Sequence, residues 1–253
     1  MKVFCIDVGN TSTHFGVLER GSPIVDARVE THDLASASVF IDMAQEHEVD
    51  GIVFSSVVPR VSSLLVGAFE PLDLPYFSLK PKYCSGLKIT SGNPHLIGQD
   101  LLANALGAQK HYGEPAIVVD MGTATTLNTV TEAFGFEGGV IAPGFQMLAN
   151  ALHEKTALLP PLTLEHLGCL PKGLGSSTIE CMQIGCVLGY QGLLDALLNR
   201  VRNHLKTVTD QTPKIICTGG NSRFFTENWA DIAIFDFNLT LKGLEEAFIR
   251  KYT

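Results

Sequence analysis

The sequence predicts an α/β fold of two similar domains that face each other across a cleft. A repeated pattern is the first indication: strand, Asp-x-Gly turn and strand occur at residues 3–18 and return at 116–131. The second indication is a break at Gly-Glu-Pro, 113–115, which divides the chain into residues 1–113 and 114–253. The third is size, because 253 residues suit two cores of roughly 100 to 150 residues each.

The first half contains enough predicted elements for one α/β domain. Its strands are short apolar runs bounded by turn residues, at 3–6, 15–18, 24–29 and 51–54. Its helices are predicted over 34–47 and 97–110, where apolar positions recur three and four residues apart.

The second half repeats this organisation. Its strands are predicted at 116–119, 127–131, 136–144 with the exit turn, and 214–217. Helices are predicted over 178–198, which carries a broad apolar face, and over 241–252. If the two domains face each other, both Asp-x-Gly turns lie at the floor of the cleft.

Composition limits the class of partner. The formal net charge is -8 and the isoelectric point about 5.4, the wrong sign for a protein that neutralises nucleic-acid phosphates. A bound polyanion such as ATP would therefore have to be held by backbone N–H groups and a divalent cation. We expect no nucleic-acid partner.

Cysteine usage and hydropathy indicate a cytoplasmic protein that does not enter a membrane. No C-x-x-C pair occurs, so we expect reduced thiols at positions 5, 84, 169, 181, 186 and 217. The apolar run at the N-terminus ends at Asp7, and no stretch approaches 18 apolar residues without a charge.

The turn at Asp7-Val8-Gly9-Asn10-Thr11 is a candidate phosphate loop. A glycine turn lets backbone N–H groups face a phosphate, and an aspartate can hold hydrated Mg²⁺. An isolated turn of this kind is more often an ordinary hairpin. The second turn, 120–126, favours the functional interpretation, because two facing loops can hold a triphosphate and its metal.

Two further sites each have two interpretations. Asp100 opens a predicted helix, where it could act as a general base or only complement the helix dipole. Gly219 and Gly220 follow a strand and could approach a nucleobase or simply form a strand-to-helix turn. No Walker or Gly-x-Gly-x-x-Gly sequence occurs, and no histidine spacing predicts a zinc site.

The order and spacing of these motifs resemble the type III pantothenate kinases. The matching stretches are DVGNT at 7–11, SSVVP at 55–59, GQDLLANALGA at 98–108, DMGTATT at 120–126, GGVIAPG at 138–144, TGG at 218–220 and LTLKGL at 239–244. The resemblance implies a duplicated ribonuclease H-like fold, shared with actin, acetate kinases and sugar kinases. It also implies ATP-dependent phosphorylation of pantothenate, the first step of coenzyme A synthesis.

The resemblance also assigns roles to residues. ATP would be bound by Asp7, Val8, Gly9, Asn10, Thr11, Ser12, Thr13, His14 and Thr123. Pantothenate would be bound by Gly98, Gln99, Asp100, Leu101 and Thr178, with Asp100 as catalytic base. Asp120 would bind a monovalent cation, K⁺ or NH₄⁺, beside ATP with Mg²⁺. Members of the family are usually homodimers.

Two substitutions relative to the family pattern keep alternatives open. Leu101 stands where the family has arginine, and Asn128 where it has aspartate. An aliphatic side chain cannot make the forked contacts of arginine with a carboxylate. The alternatives are a regulatory or accessory nucleotide-binding protein, and a kinase for another small hydroxylated acceptor.

Overall fold

Two five-stranded sheets form the framework of the molecule. The computed structural model describes residues 1–162, 170–225 and 229–253, so Cys169 lies outside the described residues. The first sheet contains β1 Lys2–Val8, β2 Ser12–Glu19, β3 Ser22–Glu30, β4 Gly51–Ser56 and β5 Tyr76–Ser78. The second contains β6 Ala116–Met121, β7 Ala124–Thr131, β8 Gly135–Pro143, β9 Lys214–Thr218 and β10 Ile234–Phe235.

The two sheets have the same topology. The strand order is β3-β2-β1-β4-β5 in the first and β8-β7-β6-β9-β10 in the second. In each sheet the first three strands pair antiparallel, and the fourth and fifth add in parallel. The predicted α/β duplication is therefore confirmed.

Helices cover both faces of each sheet. They are α1 Ser38–Glu46, α2 Pro59–Phe69, α3 Gln99–Tyr112, α4 Phe145–Glu154, α5 Thr178–Leu205 and α6 Leu239–Tyr252. Helices α1 and α2 pack on one face of the first sheet, around Phe40 and Leu65. Helices α4 and α5 cover the outer face of the second sheet, around Phe145 and Tyr190. Burial on both faces explains why β1 and β6 are almost continuously apolar.

Helices α3 and α6 lie between the sheets and pack tightly against each other. A Cβ atom added at Gly243 of α6 would overlap the backbone oxygen of Ala103 of α3, and one at Gly107 would lie 2.6 Å from Leu239 O. Only glycine permits this approach of the two backbones. Helix α6 packs on β1 and β4 of the first sheet, and α3 reaches β4, β6 and β7. The division of the chain at residue 113 stays a proposal.

Several elements differ from the sequence-based expectations. Helix α1 begins at Ser38 rather than at residue 34, because residues 34–37 form an irregular segment that follows a short 3-10 turn at Thr31–Asp33. Leu34 and Ala37 are nevertheless buried, which explains the helical periodicity of that stretch. Helix α5 continues to Leu205 rather than ending at 198. Elements that the sequence analysis did not predict are α2, α4, β5 and β10.

Among the described helices, α5 alone is long and apolar enough to cross a membrane by length and composition. Only 33% of its most apolar window is buried. One face carries Met182, Tyr190 and Leu198 into the core of the second sheet. A core helix of a soluble protein has the same composition, so this feature is weak evidence for a membrane.

We predict that Gly243→Ala destabilises the fold by roughly 1–3 kcal/mol, because the new methyl group forces α3 and α6 apart. The matched control is Gly67→Ala on α2, where an added Cβ meets nothing within 4 Å. There the same change should stabilise by roughly 0.5–1 kcal/mol, because alanine loses less backbone entropy. Urea unfolding of both variants measures the difference, and equal midpoints would contradict the prediction.

Candidate active site in the cleft between the sheets

A row of polar side chains crosses the first sheet where the strands end. Arg28 of β3 pairs with His14 of β2, His14 pairs with Asp7 of β1, and Asp7 pairs with Ser55 of β4. Directly paired residues point to the same face of a sheet. Ser55 Oγ donates a hydrogen bond of 2.6 Å to Asp7 Oδ1. The register thus places Asp7 between the His14–Arg28 pair and a hydroxyl group.

The second sheet has an equivalent row. Asp120 of β6 pairs with Thr126 of β7 on one side and Thr218 of β9 on the other. Asn104 Nδ2 of α3 donates to Asp120 Oδ2 over 2.8 Å, and Thr240 Oγ1 of α6 donates to Asn104 Oδ1 over 2.8 Å. Both central helices therefore hold the orientation of this carboxylate.

The two rows face one cavity of about 210 Å³. Predicted site residues in its wall are Asp7, Gly9, Asn10, Thr11, Ser12, His14, Asp100, Asp120 and Thr123. A second cavity of about 440 Å³ shares Thr11, Thr123 and Gly220 with the first and continues to Gln146 and Asn150. Together they form one elongated cleft. A larger cavity of about 560 Å³, beside Arg202 and Ile232, contains none of the predicted site residues.

The two candidate loops touch across this cleft. Thr11 Oγ1 and Thr123 Oγ1 are 2.9 Å apart. The first loop is anchored from below, because Thr31 Oγ1 donates to Gly9 O over 2.8 Å and lies 3.0 Å from Thr13 Oγ1. The Thr13 side chain therefore positions the loop rather than lining the cleft.

The cleft floor is electrostatically unfavourable without a cation. The pKa of Asp7 is raised to about 7, mainly by burial and secondarily by repulsion from Asp100. The Ser55 hydrogen bond opposes this rise. The same two causes raise the pKa of Asp120 to about 6, which Asn104 opposes. Like-charged groups held together out of water favour protons or metal ions between them. The site therefore has a built-in affinity for positive charge.

Asp100 lies at the start of α3, half-buried in the cleft wall. Burial raises the pKa of its carboxyl group, and the Leu101 N–H, which donates to Asp100 Oδ1 over 2.9 Å, partly offsets that rise. A carboxylate with a raised pKa is a better proton acceptor. A Cβ at Gly98 would overlap Asp100 Oδ1, so glycine leaves room for this side chain.

Some predicted site residues do not line the cleft. Val8 is buried in the core of the first sheet. Gln99 Oε1 accepts hydrogen bonds of 3.0 Å from Ser56 N and Ser78 Oγ, which fasten the start of α3 to β4 and β5. Leu101 packs against the core between the first sheet and α6. Thr178 is exposed at the first position of α5.

The sequence analysis missed several residues that lie in the cleft or hold its carboxylates. Arg28, Asn104 and Thr240 all belong to this group. Alternation along β3 places Asp26 and Arg28 on one face, which was the available signal for the arginine. The other two act across helix contacts that no local pattern reveals.

A divalent ion fits the cleft in company with a phosphate ligand. Among the described residues, no three His, Cys, Asp or Glu side chains are grouped to hold a metal ion by themselves. Mg²⁺ usually binds through one or two carboxylates, with water and substrate phosphates completing the shell. Asp7, at the end of β1 in the cleft wall, meets that requirement.

Comparison with known sequences identifies a family. The model of the type III pantothenate kinase family matches residues 3–200. A type III pantothenate kinase from Bacillus cytotoxicus is 35% identical over 256 aligned positions, which cover 96% of this chain and 94% of the relative.

Solved structures support the fold. A protein described as a Baf family transcriptional activator from Campylobacter jejuni has a TM-score of 0.58 at 18% identity, covering 98% of each chain. The activator of 2-hydroxyisocaproyl-CoA dehydratase from Clostridium difficile has 0.53 at 12%, covering 99% of this chain and 96% of that one. A ROK hexokinase from Thermus thermophilus has 0.51 at 14%, covering 99% and 100%. These likenesses show the actin-like and sugar kinase fold alone.

We predict that Asp7→Asn raises the melting temperature of the ligand-free protein at pH 8. The amide removes a carboxylate whose pKa the fold raises to about 7, and it can still accept the Ser55 hydrogen bond. A rise of about 2–4 °C would correspond to about 1 kcal/mol in a chain of this size. The gain should shrink toward pH 5, because the folded protein then carries Asp7 protonated and the charge is already absent.

Calorimetry at the two pH values measures this effect. The control is Asp73→Asn, which changes an exposed carboxylate outside the cleft. A gain for Asp7→Asn that is the same at pH 5 and pH 8 would show that ionisation of Asp7 is not its cause.

Proposed function

This chain belongs to the type III pantothenate kinase family, and we propose that its cleft transfers the γ-phosphoryl group of ATP to pantothenate. The reaction is the first step of coenzyme A synthesis. The observation that supports this proposal best is the meeting of Asp7, Asp100 and Asp120 at one end of an elongated cleft. Phosphoryl transfer depends mainly on such positioning and on charge stabilisation.

The shape of the cleft suggests how ATP lies in it. The nucleoside would occupy the cavity of about 440 Å³, against Gln146, Asn150 and Gly220. The phosphates would pass between Thr11 and Thr123, whose hydroxyl groups already lie 2.9 Å apart. Backbone groups of residues 7–14 would contribute to this loop, although the Val8 and Thr13 side chains point into the protein. The γ-phosphate would then lie beside Asp100.

Asp100 is our candidate for the catalytic base. Its carboxylate would accept the proton of the primary hydroxyl group of pantothenate as that oxygen attacks the γ-phosphorus. The bond from the γ-phosphorus to the bridging oxygen breaks, and ADP leaves. The raised pKa of Asp100 suits this role, and Gln99 fixes the helix start that carries it. Bound Mg²⁺ would supply neutralisation of phosphate charge.

Asp120 is our candidate ligand for a monovalent cation, K⁺ or NH₄⁺. Its Oδ2 accepts one hydrogen bond from Asn104 and the residue lies in the cleft wall, so lone pairs of the carboxylate remain for a cation. Burial and nearby negative charge raise its pKa to about 6, which a bound cation would reverse.

By resemblance to the family, Gly98, Gln99, Asp100 and Leu101 would form the acceptor end of the site, and of these four Asp100 is the one that lies in the cleft wall. Thr178 completes that set in the family pattern, yet here it is exposed at the start of α5, outside the cleft wall of a single chain. A second subunit that brings its own Thr178 to the cleft would account for this placement. We therefore propose a homodimer.

The exposed face of α5 supports such a contact. It carries Gly185, Gly189 and Gly192, at which an added Cβ would meet nothing within 4 Å. Leu188 on the same face is 51% exposed. Small residues let the backbones of two helices approach closely.

Other partners and the location follow from composition. We propose a cytoplasmic enzyme that binds neither nucleic acid nor membrane. The net charge of -8 and the free thiols of the five described cysteines support this proposal.

We predict that the purified protein phosphorylates pantothenate with ATP and Mg²⁺, and only when K⁺ or NH₄⁺ is present. Asp100→Asn should lower kcat by at least about 10²-fold, in the range expected for loss of a general base, while ATP binding persists. A coupled assay for ADP and a nucleotide titration measure the two quantities.

The outcomes separate the alternatives. Turnover with another alcohol but not pantothenate would indicate a kinase for a different acceptor. ATP binding without turnover of any acceptor would indicate a regulatory or accessory protein. Full activity of Asp100→Asn would remove Asp100 from the role of base.

We predict that Gly189→Glu yields a monomer, because it places a charged side chain in the proposed α5 contact. Glutamate is a better helix former than glycine, so the helix itself should persist. Gly67→Glu on the exposed face of α2 is the matched control and should leave the assembly unchanged. Sedimentation velocity measures the mass, and a dimeric Gly189→Glu variant would place the interface elsewhere.

A further inference from the structure

The paired rows of the two sheets carry different residues on one side of the central aspartate. Asp7 corresponds to Asp120, and Ser55 to Thr218, because each holds the same place in the paired rows. On the other side of the carboxylate, the first sheet has His14 and Arg28. The second has Thr126 and Ile141 at those places. The fold therefore does not require a histidine and an arginine there.

His14, Arg28 and Asp26 form a chain of hydrogen bonds. His14 Nε2 lies 2.6 Å from Asp26 Oδ1, and Arg28 Nη2 lies 3.0 Å from His14 Nδ1. Since a guanidinium group can only donate, His14 Nδ1 accepts and its Nε2–H donates to Asp26. This arrangement requires a neutral imidazole with the proton on Nε2.

The environment of His14 keeps it neutral. The residue is 4% exposed, and its pKa is lowered to about 4, mainly by burial and secondarily by the charge of Arg28. A neutral ring leaves the positive charge of Arg28 uncancelled. The second hydrogen bond of Arg28, 3.4 Å to Phe237 O, also goes to a neutral acceptor. Within the part of the chain that the structure describes, Arg28 is therefore held in position without a bonded carboxylate that would neutralise it.

Arg28 lies at the catalytic end of the cleft. It lines the cavity of about 210 Å³ together with Asp100 and Thr240. It does not line the neighbouring cavity of about 440 Å³ beyond Thr123. Among the described residues in that wall it is the one lysine or arginine, facing three aspartates. A planar guanidinium group matches the oxygens of a phosphate and stabilises charge that develops during transfer.

We propose that Arg28 binds the γ-phosphoryl group and stabilises it during transfer, and that His14, oriented by Asp26, positions the Arg28 guanidinium. The inference rests on the proposed nucleotide site and extends it: Arg28 contacts the substrate, whereas His14 acts through Arg28. The side chain of His14 is then a positioning group and not itself a nucleotide ligand.

A binding comparison tests the contact without any acceptor. We expect Arg28→Gln to weaken binding of a non-hydrolysable ATP analogue by about tenfold or more, the loss of one charge-assisted hydrogen bond. Binding of ADP should change little, because ADP lacks the γ-phosphate. Arg200→Gln on α5 is the control that removes the same charge outside the cleft. Calorimetric titration with Mg²⁺ present gives both constants.

Histidine variants test the positioning role. Asn at position 14 can keep an acceptor near the place of Nδ1, whereas Gln keeps a donor near the place of Nε2. We therefore expect His14→Asn to retain more of the preference for the ATP analogue over ADP than His14→Gln. The double variant His14→Gln/Arg28→Gln should be no worse than Arg28→Gln, because residues that act as one unit are not additive.

Turnover provides a second readout. In an active enzyme, Arg28→Gln should lower kcat for pantothenate more than it raises the KM for pantothenate, and Arg28→Lys should recover part of the loss. If Arg28→Gln weakens binding of the ATP analogue and of ADP by the same factor, so that the ratio of their affinities is unchanged, the inference is overturned. If the unaltered protein does not phosphorylate pantothenate, the function fails, yet the nucleotide comparison still decides the role of Arg28.

Discussion

The close contact between α3 and α6 is the constraint on which the site depends. Gly107 and Gly243 allow the two helix backbones to touch, so that both helices fit between the sheets. The same contact brings Thr240 to Asn104, and Asn104 to Asp120. A wider separation would break this chain, and the carboxylate of the second sheet would lose its orientation. Packing of small residues is thus connected directly to the chemistry of the cleft.

The cleft floor illustrates how a functional site costs stability. Asp7 and Asp120 are partly removed from water, and Asp100 adds further negative charge, so the pKa values of all three groups are raised. Such an arrangement is unfavourable in the free protein and favourable once cations are bound. A nucleotide bound with its metal ion would offset part of this unfavourable electrostatic free energy.

The two halves share a topology but differ in the side chains that they contribute to the cleft. Both contribute an aspartate at the end of the central strand and a hydroxyl group on the neighbouring parallel strand. The first half adds Arg28 and the neutral His14. The second half borders the cavity of about 440 Å³ beside α4. This difference supports a phosphoryl-transfer end and a nucleoside end.

The sequence by itself determined the duplication, most of the strands and the three aspartates, because these features follow from local hydropathy and turn residues. Asp7 and Asp120 each interrupt an apolar strand before glycine, and Asp100 begins a periodic helix. Only the tertiary structure decided that Arg28 lies beside His14, that Gln99 anchors α3, and that α6 returns to the first sheet. Those relations depend on strand register and on helix contacts between residues far apart in the chain. A local pattern specifies neither, since a shift of one residue in register would turn Arg28 to the opposite face.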